Sequence, residues 1–186
     1  MTPALPATAH ALELKHAYRL LNTGASILIS AAQGGRRDVM ACAWNMSLDF
    51  SPAKVAVCLD KATFTRELIE ASGSFAIGVP CVAQADLVFT VGSISGRELP
   101  GQDKFAAFGI AHHAATMIDA PLVAGCIGWL ECRLIPEPHI QQAHDLFIGE
   151  AVAAWVDERA FEGGKFRPLD DTPPAWRTLH HLGAGN

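Results

Sequence analysis

Apolar residues in this chain fall into short runs broken by Gly, Pro and Asn/Asp, a rhythm that predicts many strands and few helices. Ala25 to Ala32 predicts a buried strand, the Gly34-Gly35 pair its turn, and Val39 to Ala43 the returning strand. Pro52 precedes a further strand, Val55 to Leu59, and Phe75 to Val79 reads the same way. Gly128 to Ile135 alternates: Leu130, Cys132 and Leu134 face one way, Glu131 and Arg133 the other, the mark of a sheet with one wet face. Leu146 to Val156 predicts another long strand, with Gly149 suggesting a bulge.

Helical spacing is rarer. Leu14, Tyr18 and Leu21 share one face of a short helix from Leu12 to Leu21, stopped by Asn22-Thr23-Gly24. Thr63 is an N-cap for a helix from Phe64 to Ser72, which Gly73 closes. Ala83 to Val91 predicts a second amphipathic helix, ending in the glycine-bearing loop Gly92 to Gly101. Residues 1–11 are aperiodic and predict a loosely packed arm, and 162–178, rich in Pro, Asp and Gly, an extended crossing segment. The rest, 12–186, reads as one domain, mainly β: a barrel core carrying peripheral helices.

Composition sharpens this picture. A chain of 186 residues, half of them hydrophobic and 18% charged, can bury a substantial core, and its apolar excess points to a subunit interface, with a well-filled monomeric core as the alternative. The net charge of −5 argues against a nucleic-acid partner, whose phosphates demand clustered Lys and Arg. The start lacks a secretory signal and no apolar run reaches transmembrane length, so the expected location is cytoplasmic, with no membrane partner. Five cysteines without a Cys-x-x-Cys pair predict buried, reduced thiols.

Three segments carry candidate chemistry. In Asp60-Lys61-Ala62-Thr63-Phe64-Thr65 a strand ends and a helix begins, so Lys61, Thr63 and the first helical N–H groups can converge on an anion; an ordinary capped surface helix has the same pattern. Arg66 is a weaker candidate, because on a helix it can equally point to solvent. Ala43-Trp44-Asn45-Met46-Ser47 follows an apolar strand and can present backbone groups to a planar ring, although Trp44 alone reads equally well as core. Around Ser95-Gly96-Arg97 and Asp103-Lys104-Phe105, Gly96 permits close backbone approach and Arg97 and Lys104 offer cations; the alternative is a surface loop with an Asp103/Lys104 charge pair. The histidine pairs His112-His113 and His180-His181 lack metal-ligand spacing, and no phosphate-binding loop, nucleophile elbow or dinucleotide glycine fingerprint occurs.

In their order along the chain, these segments resemble the flavin-binding elements of the flavin reductase-like, flavoredoxin-type family. His144-Asp145-Leu146-Phe147-Ile148-Gly149-Glu150 and Thr178-Leu179-His180-His181-Leu182-Gly183 extend the resemblance from about Leu14 to Gly183. It implies an FMN-binding split β-barrel, a homodimer, reduced by NADH or NADPH as a transient partner and passing electrons to an unidentified acceptor. By the same resemblance Asp60, Lys61, Ala62, Thr63 and Thr65 surround the FMN phosphate, and Ala43, Trp44, Asn45, Met46 and Ser47 line the ring. Ser95, Gly96, Arg97 and Lys104 border the face where the nicotinamide stacks. Two positions depart from the pattern: Ala43 stands where relatives often carry Ser or Thr, and Asn22-Thr23-Gly24-Ala25 where many have paired prolines. Competing expectations are a non-enzymatic flavin- or haem-binding storage or sensor module and an FMN-dependent oxidase.

Overall fold

Gly34 and Gly35, both at positive φ, turn strand β2 (Ile27–Gln33) back into β3 (Arg36–Cys42), the hairpin expected from the glycine pair. The computed structural model describes residues 5–16, 26–99 and 101–179. The hairpin belongs to an antiparallel sheet with β4 (Asn45–Phe50), β5 (Ala53–Cys58), β6 (Ser74–Val79), β9 (Gly128–Ile135) and β10 (Leu146–Asp157). Strand order is β3-β2-β6-β9-β10-β5-β4, and β1 (Ala9–Ala11) pairs with the far end of β10. The arm expected over residues 1–11 is thus corrected for its last part, where Ala9 to Ala11 align with Asp157 to Trp155.

Alternation along these strands feeds two cores, one on each face. Ile27, Ile29, Phe75 and Ile77 join one cluster, while Leu28, Ala76, Val39 and Trp129 join the other. The expectation of a wet face on β9 therefore fails at Glu131, which is fully buried. The loop between β7 (His112–His113) and its partner β8 (Leu122–Val123) covers it: Thr116 donates its N–H and Oγ1–H, and Met117 its N–H, to the Glu131 carboxylate. Trp155 Nε1 donates to the same group at 2.9 Å, so a buried charge is satisfied by four donor groups. Arg133, two residues on, stays exposed as expected.

The bulge in β10 lies at Val152, not Gly149, because Ala151 pairs with Cys132 and Ala153 with Glu131. Gly149 has a different purpose: a Cβ there would sit 2.6 Å from Phe75 Cζ, so the strand lies flat against that ring.

Helix α1 spans Phe64–Ser72 and closes on Gly73 in the left-handed conformation, as the sequence predicts. Helix α2 (Ala85–Ser93) follows a short 3₁₀ turn. The sequence reading did not anticipate α3 (Lys104–Ala107), whose N-cap Asp103 accepts from the Ala106 N–H, or α4 (Pro138–His144). It also missed strand β4. The segment expected to cross the molecule after residue 161 instead folds on itself as a hairpin, β11 (Phe161–Glu162) with β12 (Lys165–Phe166), and two 3₁₀ turns. Of the helix expected from Leu12 to Leu21, residues 14–16 form a single 3₁₀ turn; residues 17–21, and Asn22-Thr23-Gly24 after them, lie outside the described residues, as does His180 to Gly183. All five thiols are free, four of them buried, and burial pushes the Cys42 thiol up to about 12. No helix among the described residues is long and apolar enough to cross a membrane.

Candidate functional site

Two clefts meet where β3 ends and α1 begins, sharing Met40, Ala41 and Thr63 as common wall. The first, of about 290 Å³, is mainly apolar: Met40, Ala41, Cys42, Ala43 and Trp44 on one side, with Asp60, His144 and Asp145 at its rim. The second, of about 280 Å³, is rich in hydroxyls, with Thr63, Thr65, Ser93 and Ser95 around its wall. Asp38 and Lys104 also line the second cleft.

The N-terminus of α1 opens into this second cleft through Ala62, Thr63, Phe64 and Thr65. Thr63 occupies the N-cap position in extended conformation, yet its hydroxyl donates back to the Asp60 carbonyl at 2.8 Å rather than capping the helix. Asp60 Oδ1 in turn accepts from the Ala62 N–H at 2.7 Å, which shapes the tight turn. The hydroxyls of Thr63, Thr65 and Ser93 donate to Asp60, Asp38 and Phe89, which leaves the Ser95 hydroxyl and the helix start as the anion-binding chemistry of this cleft.

The cations expected there are occupied elsewhere. Lys61 Nζ donates to the Gln142 carbonyl at 2.7 Å, on the surface beside α4, and does not line either cleft. Arg97 hydrogen-bonds to the Ala62 carbonyl and pairs with Glu67 at 3.1 Å, strapping the loop after α2 to the turn before α1. Arg66, left open to solvent by the sequence, is buried: its guanidinium donates to the carbonyls of Leu59 and Gln141 and to the Asp145 and Glu70 carboxylates. Lys104, 2% exposed, donates to the carbonyls of Val39 and Val91 and lies 3.7 Å from Asp38 Oδ1. The surface Asp103/Lys104 pair is thus replaced by two cross-linked pairs, Arg37 with Asp103 at 2.8 Å and Asp38 with Lys104. Adjacent residues on β3 hold adjacent residues of opposite charge at the start of α3.

Asp38, 1% exposed, is the charged residue of the site that sequence reasoning missed, as it missed Met40 and Ala41 in the common wall. Its Oδ2 accepts from Thr65 Oγ1 at 2.7 Å, while Oδ1 has no hydrogen-bond donor among the described residues. Burial raises the Asp38 carboxyl and lowers the Lys104 ammonium from their ordinary values, each partly offset by the other's charge. The one signal available was a carboxylate placed directly before the apolar run of β3. Gly96 fits closely over this pair, since a Cβ would fall 2.7 Å from Asp38 Oδ1 and 2.8 Å from Phe64 Cδ1.

The ring-side segment divides. Ala43 and Trp44 line the apolar cleft, but Asn45, Met46 and Ser47 do not line it and run outward along β4. Asn45 Nδ2 donates to the carbonyls of Cys42 and Ala43, fixing the corner between β3 and β4. Trp44 is 76% exposed, so it is neither core nor enclosed. An apolar slot joined to a hydroxyl-lined helix start, with one orphaned carboxylate oxygen in its wall, fits a flat ring bearing a polar phosphorylated chain, which is the shape of FMN.

Comparison with known proteins agrees. The chain is 45% identical to the uncharacterised protein YddH of Escherichia coli K12 over 177 residues, covering 94% of this chain and 90% of that one. The solved FMN-binding domain of a flavin reductase-like enzyme from Shewanella baltica OS155 superposes with a TM-score of 0.89 at 46% identity, over 96% of this chain and 92% of that one. Flavoredoxin of Desulfovibrio vulgaris (Miyazaki F) matches with a TM-score of 0.69 at 26% identity, over 88% and 90% of the two chains. The family model of the flavin reductase like domain matches residues 18–170. With its antiparallel sheet, its few helices and the joined clefts at the start of α1, the chain belongs to the flavin reductase-like domain family and has that family's split-barrel fold.

Proposed function

We propose that this protein is an FMN-binding oxidoreductase that takes reducing equivalents from NADH or NADPH and passes them to an acceptor. The observation that carries this reading is the junction of an apolar and a hydroxyl-lined cleft at Met40, Ala41 and Thr63. Met40 to Trp44 offer the flat apolar wall that a ring needs. The phosphate falls to the N–H groups at the start of α1 and to Ser95, because Lys61, Arg97 and the Thr63 hydroxyl are engaged with other partners. FMN, when bound, supplies the hydride-accepting chemistry, so the protein has to bind, orient and exclude water rather than supply a nucleophile. Arg97, on the rim beside Ala62, is the cation best placed to meet the diphosphate of an incoming pyridine nucleotide.

A homodimer belongs to this reading. On strand β4 and the residue before it, Trp44, Met46, Leu48 and Phe50 recur at every second position and are all exposed, from 45% at Leu48 to 76% at Trp44. β4 ends the strand order, so this apolar stripe lies along an open sheet edge beside the ring cleft, where a second copy would cover it. The five free thiols suit a reducing compartment, the cytoplasm.

The test is the visible spectrum of the protein titrated with FMN and then reduced anaerobically with NADH or NADPH. Bleaching of a protein-bound flavin band supports the proposal. Tight FMN with no pyridine-nucleotide oxidation makes the chain a binding module, and no FMN binding at all removes the reading.

A further inference from the structure

The buried pair Asp38 and Lys104 is one hydrogen bond short on each side. Lys104 Nζ has three N–H groups, two of which go to the carbonyls of Val39 and Val91 at 2.8 and 2.9 Å. Among the described residues the third has only Asp38 Oδ1 in range, and at 3.7 Å the two do not hydrogen-bond. Asp38 Oδ2 is satisfied by Thr65, but Oδ1 is buried without a donor. Native proteins rarely leave a buried carboxylate oxygen unpaired, since the cost is that of desolvating a charge. Both residues line the hydroxyl-rich cleft, so the missing partner can come from a bound molecule.

The chemistry of that partner is restricted. An oxygen about 2.8 Å from both Asp38 Oδ1 and Lys104 Nζ would close the gap, accepting from the ammonium and donating to the carboxylate. A phosphate or carbonyl oxygen has no hydrogen to give Asp38, and an ammonium has no lone pair for Lys104. A hydroxyl has both, and so does water, which a comparison of riboflavin with lumiflavin separates from the ligand. Gly96 is the other half of the arrangement, because a Cβ at that position would press on Asp38 Oδ1 from 2.7 Å.

We infer that Asp38, supported by Lys104, reads a hydroxyl of the flavin's sugar-alcohol side chain, and so selects riboflavin and FMN over flavins that carry the ring alone. This rests on the FMN reading above. It assigns the selection of the polyol to a buried charge pair, separate from the phosphate contacts at the start of α1.

The experiment measures dissociation constants of FMN, riboflavin and lumiflavin, which lacks the side chain, by flavin fluorescence quenching on the intact protein. Wild type is expected to hold riboflavin on the order of tenfold tighter than lumiflavin, the scale of one hydrogen bond to a charged group. Asp38→Asn, which turns an amide N–H toward Lys104 or the hydroxyl, should weaken FMN and riboflavin by a similar factor and leave lumiflavin within about twofold. Gly96→Ala should do the same and keeps the test open if Asp38→Asn does not fold. Equal wild-type affinity for riboflavin and lumiflavin overturns the inference while tight FMN binding leaves the proposed function standing. Equal weakening of all three ligands by Asp38→Asn also overturns it, since that reports a structural role. Failure of wild type to bind any of them removes both readings.

Discussion

Arg66 Nη1 and Asp145 Oδ1 lie 2.5 Å apart, linking the first turn of α1 to the corner where α4 turns into β10. The same guanidinium lies over the Phe147 ring, 5.0 Å from its centroid, and closes onto two carbonyls. Asp145 is the only described non-glycine residue with positive φ, at 55°, and its contact with Arg66 fixes that conformation at the rim of the ring cleft. Arg66→Met should cost about 2 kcal/mol, because the Leu59 and Gln141 carbonyls lose a buried charged donor and half-buried Asp145 its partner. Glu70→Ala, which removes a largely exposed partner of the same arginine, should cost under about 0.5 kcal/mol. Urea unfolding at neutral pH compares the two, and equal effects would contradict the clamp.

Arg97 and Lys104 should separate cleanly, although the sequence grouped them. Lys104→Met leaves Asp38 buried without its counter-charge and should cost about 3 kcal/mol of stability. Arg97 makes exposed contacts, so Arg97→Ala should change stability by less than about 0.5 kcal/mol. Its effect belongs to the reductant: the KM for NADH or NADPH should rise by on the order of tenfold while FMN content stays unchanged. Stopped-flow reduction with wild-type kinetics in Arg97→Ala would make the residue a strap only.

Acid should destabilise the protein in part through Asp157. Burial alone would raise its carboxyl, but the Arg159 side chain and backbone N–H and the Thr8 hydroxyl outweigh it and hold it below the ordinary 3.8. Its contribution is complete above 3.8 and is lost as pH falls through the lower folded value. Asp38 has the opposite sign: its carboxyl is raised, so the folded state takes up that proton more readily and is favoured as pH falls. Asp157→Asn should therefore flatten the loss of stability below about pH 4, measured by thermal unfolding across pH, and lower stability at neutral pH. An unchanged acid slope would locate the sensitivity elsewhere.

The edge stripe gives a sharper test than composition could. Met46→Lys with Phe50→Lys should convert the expected dimer to monomer in sedimentation at micromolar concentration, and loosen FMN through the open side of the ring cleft. A wild-type monomer that holds FMN fully would remove the interface from the mechanism.

Gly149→Ala should destabilise by about 1–3 kcal/mol, because the new methyl meets Phe75 at 2.6 Å and Cys132 Cβ at 3.2 Å in the core between strands. Phe75→Leu on the same background should recover part of the loss, and thermal denaturation of the double variant decides it.

Much of the fold was legible because most of its strands are short apolar runs bounded by glycine or proline, and α1 carries both its start and stop residues. β4 was hidden because it reads inside out, its large apolar residues exposed along an edge. Glu131 shows the other limit: alternation tells which residues share a face, not whether a loop from elsewhere will cover it. Thr63 and Thr65 were legible as cleft residues because a helix start carries unpaired N–H groups, and Ser95 and Gly96 because glycine permits close approach; all four line the second cleft. The cations misled because charge announces itself in sequence while its partner does not. Lys104 reads as a surface ligand until Asp38, far away in the chain, is seen beneath it.

The bulge at Val152 has a consequence for how this strand tolerates insertions and deletions. Phe147, Gly149 and Ala151 are buried before it, Ala154 and Val156 after it, so the inward set changes from odd to even positions at that one residue. Losing or gaining a residue elsewhere in β10 would turn every side chain beyond the change to the opposite face, driving Trp155 away from Glu131 or Phe147 out of the core. At Val152 the same loss only straightens the ladder, leaving both sets where they were. Position 152 is the one point in β10 at which the length of the chain can drift by a residue without turning a barrel wall inside out.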